Sequence, residues 1–247
     1  MMKLLLTVVC LLTLSLPVHG AVSVDTARAI ILDRPIVGNT VVPFTEAITK
    51  LVASSKDPID IVLDSPGGSL IAGYLMVDQI EMAKKQGIKV RCFVRKLAAS
   101  MAFQLLLSCD ERYALPHSLV LWHPVRVNWN GPLTATDAVS TSKSLSLFDD
   151  MILTQILDEL VSKPIVATED FLIEHFNKET LHMAALLSEP LPLLFTEVSY
   201  DISNLFVDDG AAYVASSVGF SFFGSVESFM YIHEMFMPMI ETNGGVK

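Results

Sequence analysis

Cysteine is scarce in this 247-residue chain: Cys10, Cys92 and Cys109 are too few and too widely spaced for a disulfide-built scaffold or a Cys-rich zinc site. Basic residues are scarce too. Seventeen Lys and Arg stand against 27 Asp and Glu, a formal charge of −10, so no positive field draws phosphate backbones and nucleic acid is not an expected partner. Charged residues make up 18% of the chain against 51% hydrophobic, which excludes a disordered polymer and leaves a globular core held by packing. No His-Glu-x-x-His spacing occurs, and His175 and His182 stand seven residues apart, so neither a metal nor another cofactor is expected. No apolar run reaches the ~18 residues of a spanning helix, and the late stretch Ala211 to Ile240 is interrupted by Ser216, Ser217, Ser221, Ser225, Glu227, His233 and Glu234. Repeats and low-complexity tracts are missing as well.

What is present begins with an export-like leader. Met1 to Lys3 carries one positive charge, Leu4 to Leu16 is a 13-residue apolar stretch, and Val18-His19-Gly20-Ala21 follows Pro17 with small residues at the cleavage positions. Residues 1–20 are therefore expected to be a secretory signal cut after Gly20 or Ala21, with an amino-terminal membrane anchor as the alternative. Among charged residues the cut removes only Lys3, taking −10 to −11, and it leaves Cys92 and Cys109 in a periplasmic or secreted chain. There the two can pair if their Cα atoms come within about 7 Å; otherwise they are two small buried hydrophobes.

From Ile59 the pattern alternates. A strand at Ile59 to Leu63, a Pro-Gly-Gly turn, a helix with apolar positions Leu75, Met76, Ile80 and Ala83, a strand at Val90 to Val94, a helix at Met101 to Leu107 and a strand at Leu119 to Trp122 make β-α-β-α-β. Crossovers of that length favour parallel strands with helices on the faces, an α/β fold. Residues 133–162 read as one long amphipathic helix, with Leu145, Leu147, Met151, Ile152, Ile156, Leu157 and Leu160 opposite Asp149, Asp150, Asp158 and Glu159. Beyond about residue 185, Glu189-Pro190-Leu191-Pro192 marks a break, and residues 186–247 carry no periodicity that places elements.

Three strand ends carry the candidate chemistry. Asp64-Ser65-Pro66-Gly67-Gly68-Ser69 closes the first strand, where two glycines expose backbone N–H groups that can cradle an oxyanion; an ordinary strand-to-helix turn reads equally well. A phosphate loop fits poorly, because the Gly-Lys-Ser/Thr ending is missing. Leu97-Ala98-Ala99-Ser100-Met101-Ala102 puts Ser100 at the first turn of the next helix among small neighbours, as a nucleophile needs, although a lone serine there is more often a cap. Leu121-Trp122-His123-Pro124 then brings an imidazole to the same rim of the sheet, where it can take and return a serine proton near neutral pH.

The segments IVLDSPGGSLIAG (61–73), LAASMA (97–102) and YALPHSLVLWHP (113–124), in that order, resemble the Clp-type serine peptidases of the crotonase-like fold, over roughly residues 40–185. The resemblance implies Ser100 as nucleophile and His123 as its base, with Gly68, Gly67 beside it, and Met101 supplying the oxyanion N–H groups. It also implies that Thr134-Ala135-Thr136-Asp137 opens a handle helix through which copies of the chain interlock into a ring, which would cover the apolar stripe. Residues 21–185 would form the peptidase domain.

The sequence departs from that family in three ways. Where the resemblance leads one to expect an aspartate as third triad member, the matching position is Asn177, which orients an imidazole without stabilising its charge. Asp170 fits with a shifted helix register, Asp208 or Asp209 if the tail folds back, and a bare Ser-His dyad is the remaining option. Export would separate the chain from any ATP-driven unfolding partner, leaving peptides or flexible protein segments as substrates. Exported relatives of the same broad fold use Ser-Lys pairs, for which Arg95 and Lys96 are the nearby cations, but His-Pro after the third strand favours Ser-His. The extension, rich in Phe and Met, is left for a subunit or membrane-surface contact. The competing readings are a silent scaffold that lost its charged triad member, and a thioester enzyme of the crotonase type, disfavoured because coenzyme A is cytosolic.

Overall fold

The computed structural model describes residues 21–127, 131–161, 166–207 and 210–213. The expected leader, Asp208, Asp209 and residues 214–247 lie outside them.

The centre of the molecule is a twisted sheet whose long strands are hydrophobic on both sides. β2 (Ala29–Leu32), β3 (Ile59–Ser65), β4 (Val90–Ala99) and β5 (Glu111–Ala114) run parallel in that order, and every residue of β2 and β3 is buried. Period-two alternation divides their side chains. Ile30, Leu32, Ile61, Leu63, Cys92 and Val94 face a helical layer made by α1 (Gly38–Ser54), α2 (Leu70–Lys85) and α3 (Met101–Leu107). Ile31, Val62, Phe93 and Tyr113 face the other way, onto Val24, Ile202 and Leu205. There the two-residue strands β1 (Val22–Ser23) and, late in the chain, β9 (Ile202–Ser203) pair with each other.

β4 is longer than its neighbours, and this positions the site. Its first half, Arg91 to Val94, pairs with β5, whereas Leu97 to Ala99 pairs with β6 (Leu119–Leu121). A register shift between Leu63 and Ser65 accommodates the change, so that Ser65, Ala98 and Val120 lie abreast. The carboxyl ends of β3, β4 and β6 therefore open onto one rim.

The long amphipathic helix is α4 (Ala135–Leu160), started by a Thr134/Asp137 capping box. Its stripe is divided: Ile152, Ile156 and Leu160 are buried, while Val139, Leu147 and Met151 are exposed. α5 (Val166–Lys178) follows and buries Leu172 and Phe176. β7 (His182–Met183) then pairs antiparallel with β6.

The described fold runs on past residue 185. β8 (Glu197–Val198) extends the sheet beyond β5, and β10 (Ala212–Tyr213) extends it beyond β2, so these two strands share the sheet of the domain expected to end at 185. Pairings two residues long leave no periodicity to read. Among the described residues no helix is long and apolar enough to cross a membrane.

Cys92 of β4 and Cys109, just after α3, form a disulfide with Cα atoms 5.8 Å apart. It settles the alternatives left open for the pair. Both residues are buried, and the loop they close spans 17 residues. Such a loop is worth about 3 kcal/mol of stability through restriction of the unfolded chain. Cys109→Ala is expected to lose stability of that order, read as a lower urea midpoint, and reductant should lower the wild-type midpoint without moving that of the variant.

Candidate active site

β4 cannot pass smoothly into α3. Ser100, the residue between them, has φ 56° and ψ −123°, a backbone conformation costly for any residue with a Cβ. The Ser100 N–H donates to the Leu121 carbonyl at 2.8 Å, and the Phe103 N–H donates to the Ser100 carbonyl at 2.9 Å, so the neighbouring strand β6 and the helix α3 hold the turn. This is the sharp strand-to-helix turn that lifts a hydroxyl clear of the sheet.

The glycine turn lies directly against it. Gly67 (φ 86°) comes so close that a Cβ would stand 2.4 Å from the Ala99 carbonyl oxygen and 2.7 Å from the Met101 nitrogen. Gly68 (φ 148°) meets Ile36 in a parallel bridge: the Ile36 N–H donates to the Gly67 carbonyl and the Ser69 N–H to the Ile36 carbonyl, each at 2.7 Å. In such a bridge the N–H of the middle residue, Gly68, points away from the bonded segment. Met101 opens α3, so its N–H has no acceptor within the helix. Further bonds fix the turn: the Ser65 hydroxyl donates to the Arg34 carbonyl and accepts from the Gly67 N–H. The last glycine of the motif has a packing reason, since a Cβ on Gly73 would come within 2.0 Å of the Met101 side chain.

A cavity of about 380 Å³ opens between these elements, lined by Gly68, Ser100, Met101 and His123 among others. His123 follows the neighbouring strand, which brings it to the cavity that Ser100 enters. Its Nδ1 is bound to the Pro124 carbonyl oxygen. A carbonyl only accepts, so Nδ1 carries the proton and Nε2 keeps a free lone pair, the tautomer a general base requires. Burial is the main influence on the ring and lowers its pKa; the Pro124 bond opposes this, Arg126 adds to the lowering and Asp149 opposes it. Asp149 of α4 also accepts from the Val125 N–H at 2.6 Å, tying the segment after His123 to the long helix.

Neither Asn177 nor Asp170 reaches His123. Both are exposed, because α5 turns Leu172 and Phe176 inward and these two residues lie on its other side. The orienting bond expected from a side chain is made instead by the carbonyl of the next residue. Arg95 and Lys96 are not serine partners either: both pair with the buried carboxylate of Asp64, Lys96 at 3.1 Å and Arg95 at 3.7 Å. Burial raises the pKa of Asp64, against the pull of these cations.

Two features of the site were not singled out in the sequence. Arg126, on the cavity wall, is paired with Glu179. Gln104, one turn after Ser100, is 2% exposed, lines the cavity, and has an Oε1 without a hydrogen-bond partner. Its only signal was a single polar residue within Met101-Ala102-Phe103-Gln104-Leu105-Leu106-Leu107. Behind the site, Trp122 donates from Nε1 to the Leu172 carbonyl and stacks on His182 with ring centres 4.9 Å apart. Among the described residues no group of three or more His, Cys, Asp and Glu is arranged to hold a metal ion.

The fold and the strand-end motifs are those of the Clp protease family, whose profile matches residues 21–170, and the chain belongs to that family. It is 35% identical over 119 residues to ATP-dependent Clp protease proteolytic subunit 1 of Chlamydia abortus, covering 45% of this chain and 58% of that one. It is 39% identical over 93 residues to the proteolytic subunit 2 of Rhodococcus jostii, covering 35% and 45%, and 36% identical over 108 residues to the proteolytic subunit of Porphyromonas gingivalis, covering 40% and 47%. The chain thus spans about half the length of these relatives.

Two outcomes follow from the geometry. Gly67→Ala should drive a Cβ into the Ser100 turn and lower reactivity of Ser100 toward a fluorophosphonate by at least about tenfold, given that one displaced oxyanion donor costs about 10²–10³ in rate. His182 is held near pKa 4 by burial and by the adjacent His175, against 6.5 when free. The unfolded chain therefore takes up this proton first, and the stability due to neutral His182 is lost as pH falls from about 6.5 to about 4. Thermal melts at pH 7 and 4.5 should show a drop that is smaller in His182→Phe.

Proposed function

We propose that this chain is a serine endopeptidase that cleaves peptide bonds through an acyl-enzyme in the periplasm or outside the cell, without an ATPase partner. The reading rests on one observation: a serine held in a strained turn opens into the cavity lined by His123 and by the glycine turn. Ser100 Oγ attacks the peptide carbonyl carbon while His123 Nε2 takes its proton. The N–H groups of Gly68 and Met101, with Gly67 holding the turn open, receive the oxyanion. Collapse expels the amine, which leaves with the proton from His123, and water, deprotonated by the same ring, releases the acid. The Pro124 carbonyl keeps the ring in register throughout. Among the described residues the bond to Nδ1 is made by the Pro124 carbonyl, so the scheme does not use Asn177 or Asp170, and Asp149 is the negative group that favours the charged ring.

The location rests on the export-like leader, and the buried disulfide supports an oxidising compartment. Because nothing outside the cytoplasmic membrane would unfold proteins with ATP, substrates are peptides or flexible segments. The exposed apolar half of α4 supports association of copies of this chain into a ring. A catalytically silent scaffold is the second reading, favoured by the missing carboxylate on His123.

Fluorophosphonate labelling separates the two. The mature chain should be labelled, and Ser100→Ala and His123→Ala should each abolish labelling. Its rate should fall as pH drops through the lowered pKa of His123, below 6.5, with no loss on the alkaline side up to pH 8. A folded wild-type chain that does not label leaves the scaffold reading in its place.

A further inference from the structure

The wall of the cavity next to Ser100 contains a group that the peptidase chemistry does not use. Gln104 lies four residues after Ser100 on α3, hence on the same face of the helix. It is 2% exposed, and its Oε1 has no partner among the described residues. Every other residue of α3 is apolar, and each of these is buried too. A buried amide oxygen without a partner costs about 1–3 kcal/mol, and a leucine or methionine would fill the same volume without that cost. Oε1 is itself closed off within the wall, so a partner entering the cavity meets it through a rotation of the amide about its last bond.

Resting on the reading of Ser100 as nucleophile, we propose that Gln104 is a specificity-determining residue that selects a substrate whose side chain, at the residue donating the scissile carbonyl, ends in an uncharged amide: glutamine or asparagine. Rotation of the Gln104 amide about its last bond exchanges donor and acceptor ends, so the wall meets a partner that offers both, as another amide does. Charged side chains fit less well. Among the described residues that line the cavity none is acidic, so a lysine or arginine finds no counter-charge there, and the lining cation Arg126 is already paired with Glu179, so a carboxylate gains little. An aliphatic side chain would fill the space and leave Oε1 unpaired, which is how a site built to hydrogen-bond discriminates against an analogue that cannot.

The test uses the mature full chain and fluorescent peptides identical except for a carboxy-terminal glutamine, methionine or lysine, which mimic the acid product and need no turnover. Fluorescence polarisation should show the glutamine peptide binding about tenfold more tightly than the methionine peptide, the lysine peptide weakest, and the glutamine–methionine order reversed in Gln104→Leu. Methionine binding as well as or better than glutamine in the wild-type chain overturns the proposal, whether or not the variant folds. Fluorophosphonate labelling of the same preparation keeps the two readings apart. A labelled chain that prefers methionine refutes the specificity alone, and an unlabelled chain that prefers glutamine keeps the binding preference while refuting the nucleophile.

Discussion

The contact between Gly67 and the Ser100 turn is the constraint on which the rest depends. Two backbones meet at a distance that admits no Cβ: Gly67 has a positive φ that glycine adopts freely, whereas Ser100 has one that is costly for a residue with a Cβ. The strain at Ser100 is sustained because bonds from Ser100 to Leu121 and from Phe103 to Ser100 hold it from both sides, while the Ile36 bridge presses the glycine turn down from above. Sheet, helices and bridge converge on a region a few ångströms across. The N–H groups proposed to bind an oxyanion, those of Gly68 and Met101, need no separate device, since the same convergence positions both.

The second organising feature is the change of neighbour along β4. A parallel strand that kept one partner throughout would place β5, with Tyr113 and Ala114, beside the nucleophile turn. By exchanging β5 for β6 halfway along, the sheet brings Leu121 to Ala99 and so sets His123 beside Ser100 although 23 residues separate them. The helix α4 then secures the segment after the histidine through Asp149, which makes the long helix a support of the site.

The part of the fold that positions the site could be read from the sequence because its signals are local and strong. The strands at Ile59, Val90 and Leu119, the two helices between them, the Pro-Gly-Gly turn and the Ser100 turn fell where expected, whereas β5 (Glu111–Ala114) and the second half of β4, Arg95 to Ala99, were not anticipated. What escaped has physical causes. β2 and α1 precede the motif region, and α1 carries Pro43 inside it, which weakens a helical reading. β8 and β10 gain their place only through pairing with a sheet already built. The partner of His123 was sought among side chains, whereas a backbone carbonyl makes that bond, and backbone groups leave no mark on composition. Gln104 was visible as a letter but not as a buried group, since only the cavity distinguishes it from any other polar residue in a short helix.

The disulfide has a consequence for a chain exposed to proteolysis, its own included. Cys92 and Cys109 bracket the turn, so Ser100, Met101 and Gln104 lie within a closed covalent ring. A single cut anywhere inside that ring would open it without releasing either fragment, and the strand before the serine would stay fastened to the end of the helix after it. The strained turn at Ser100 is thus also a part that one hydrolytic event cannot separate.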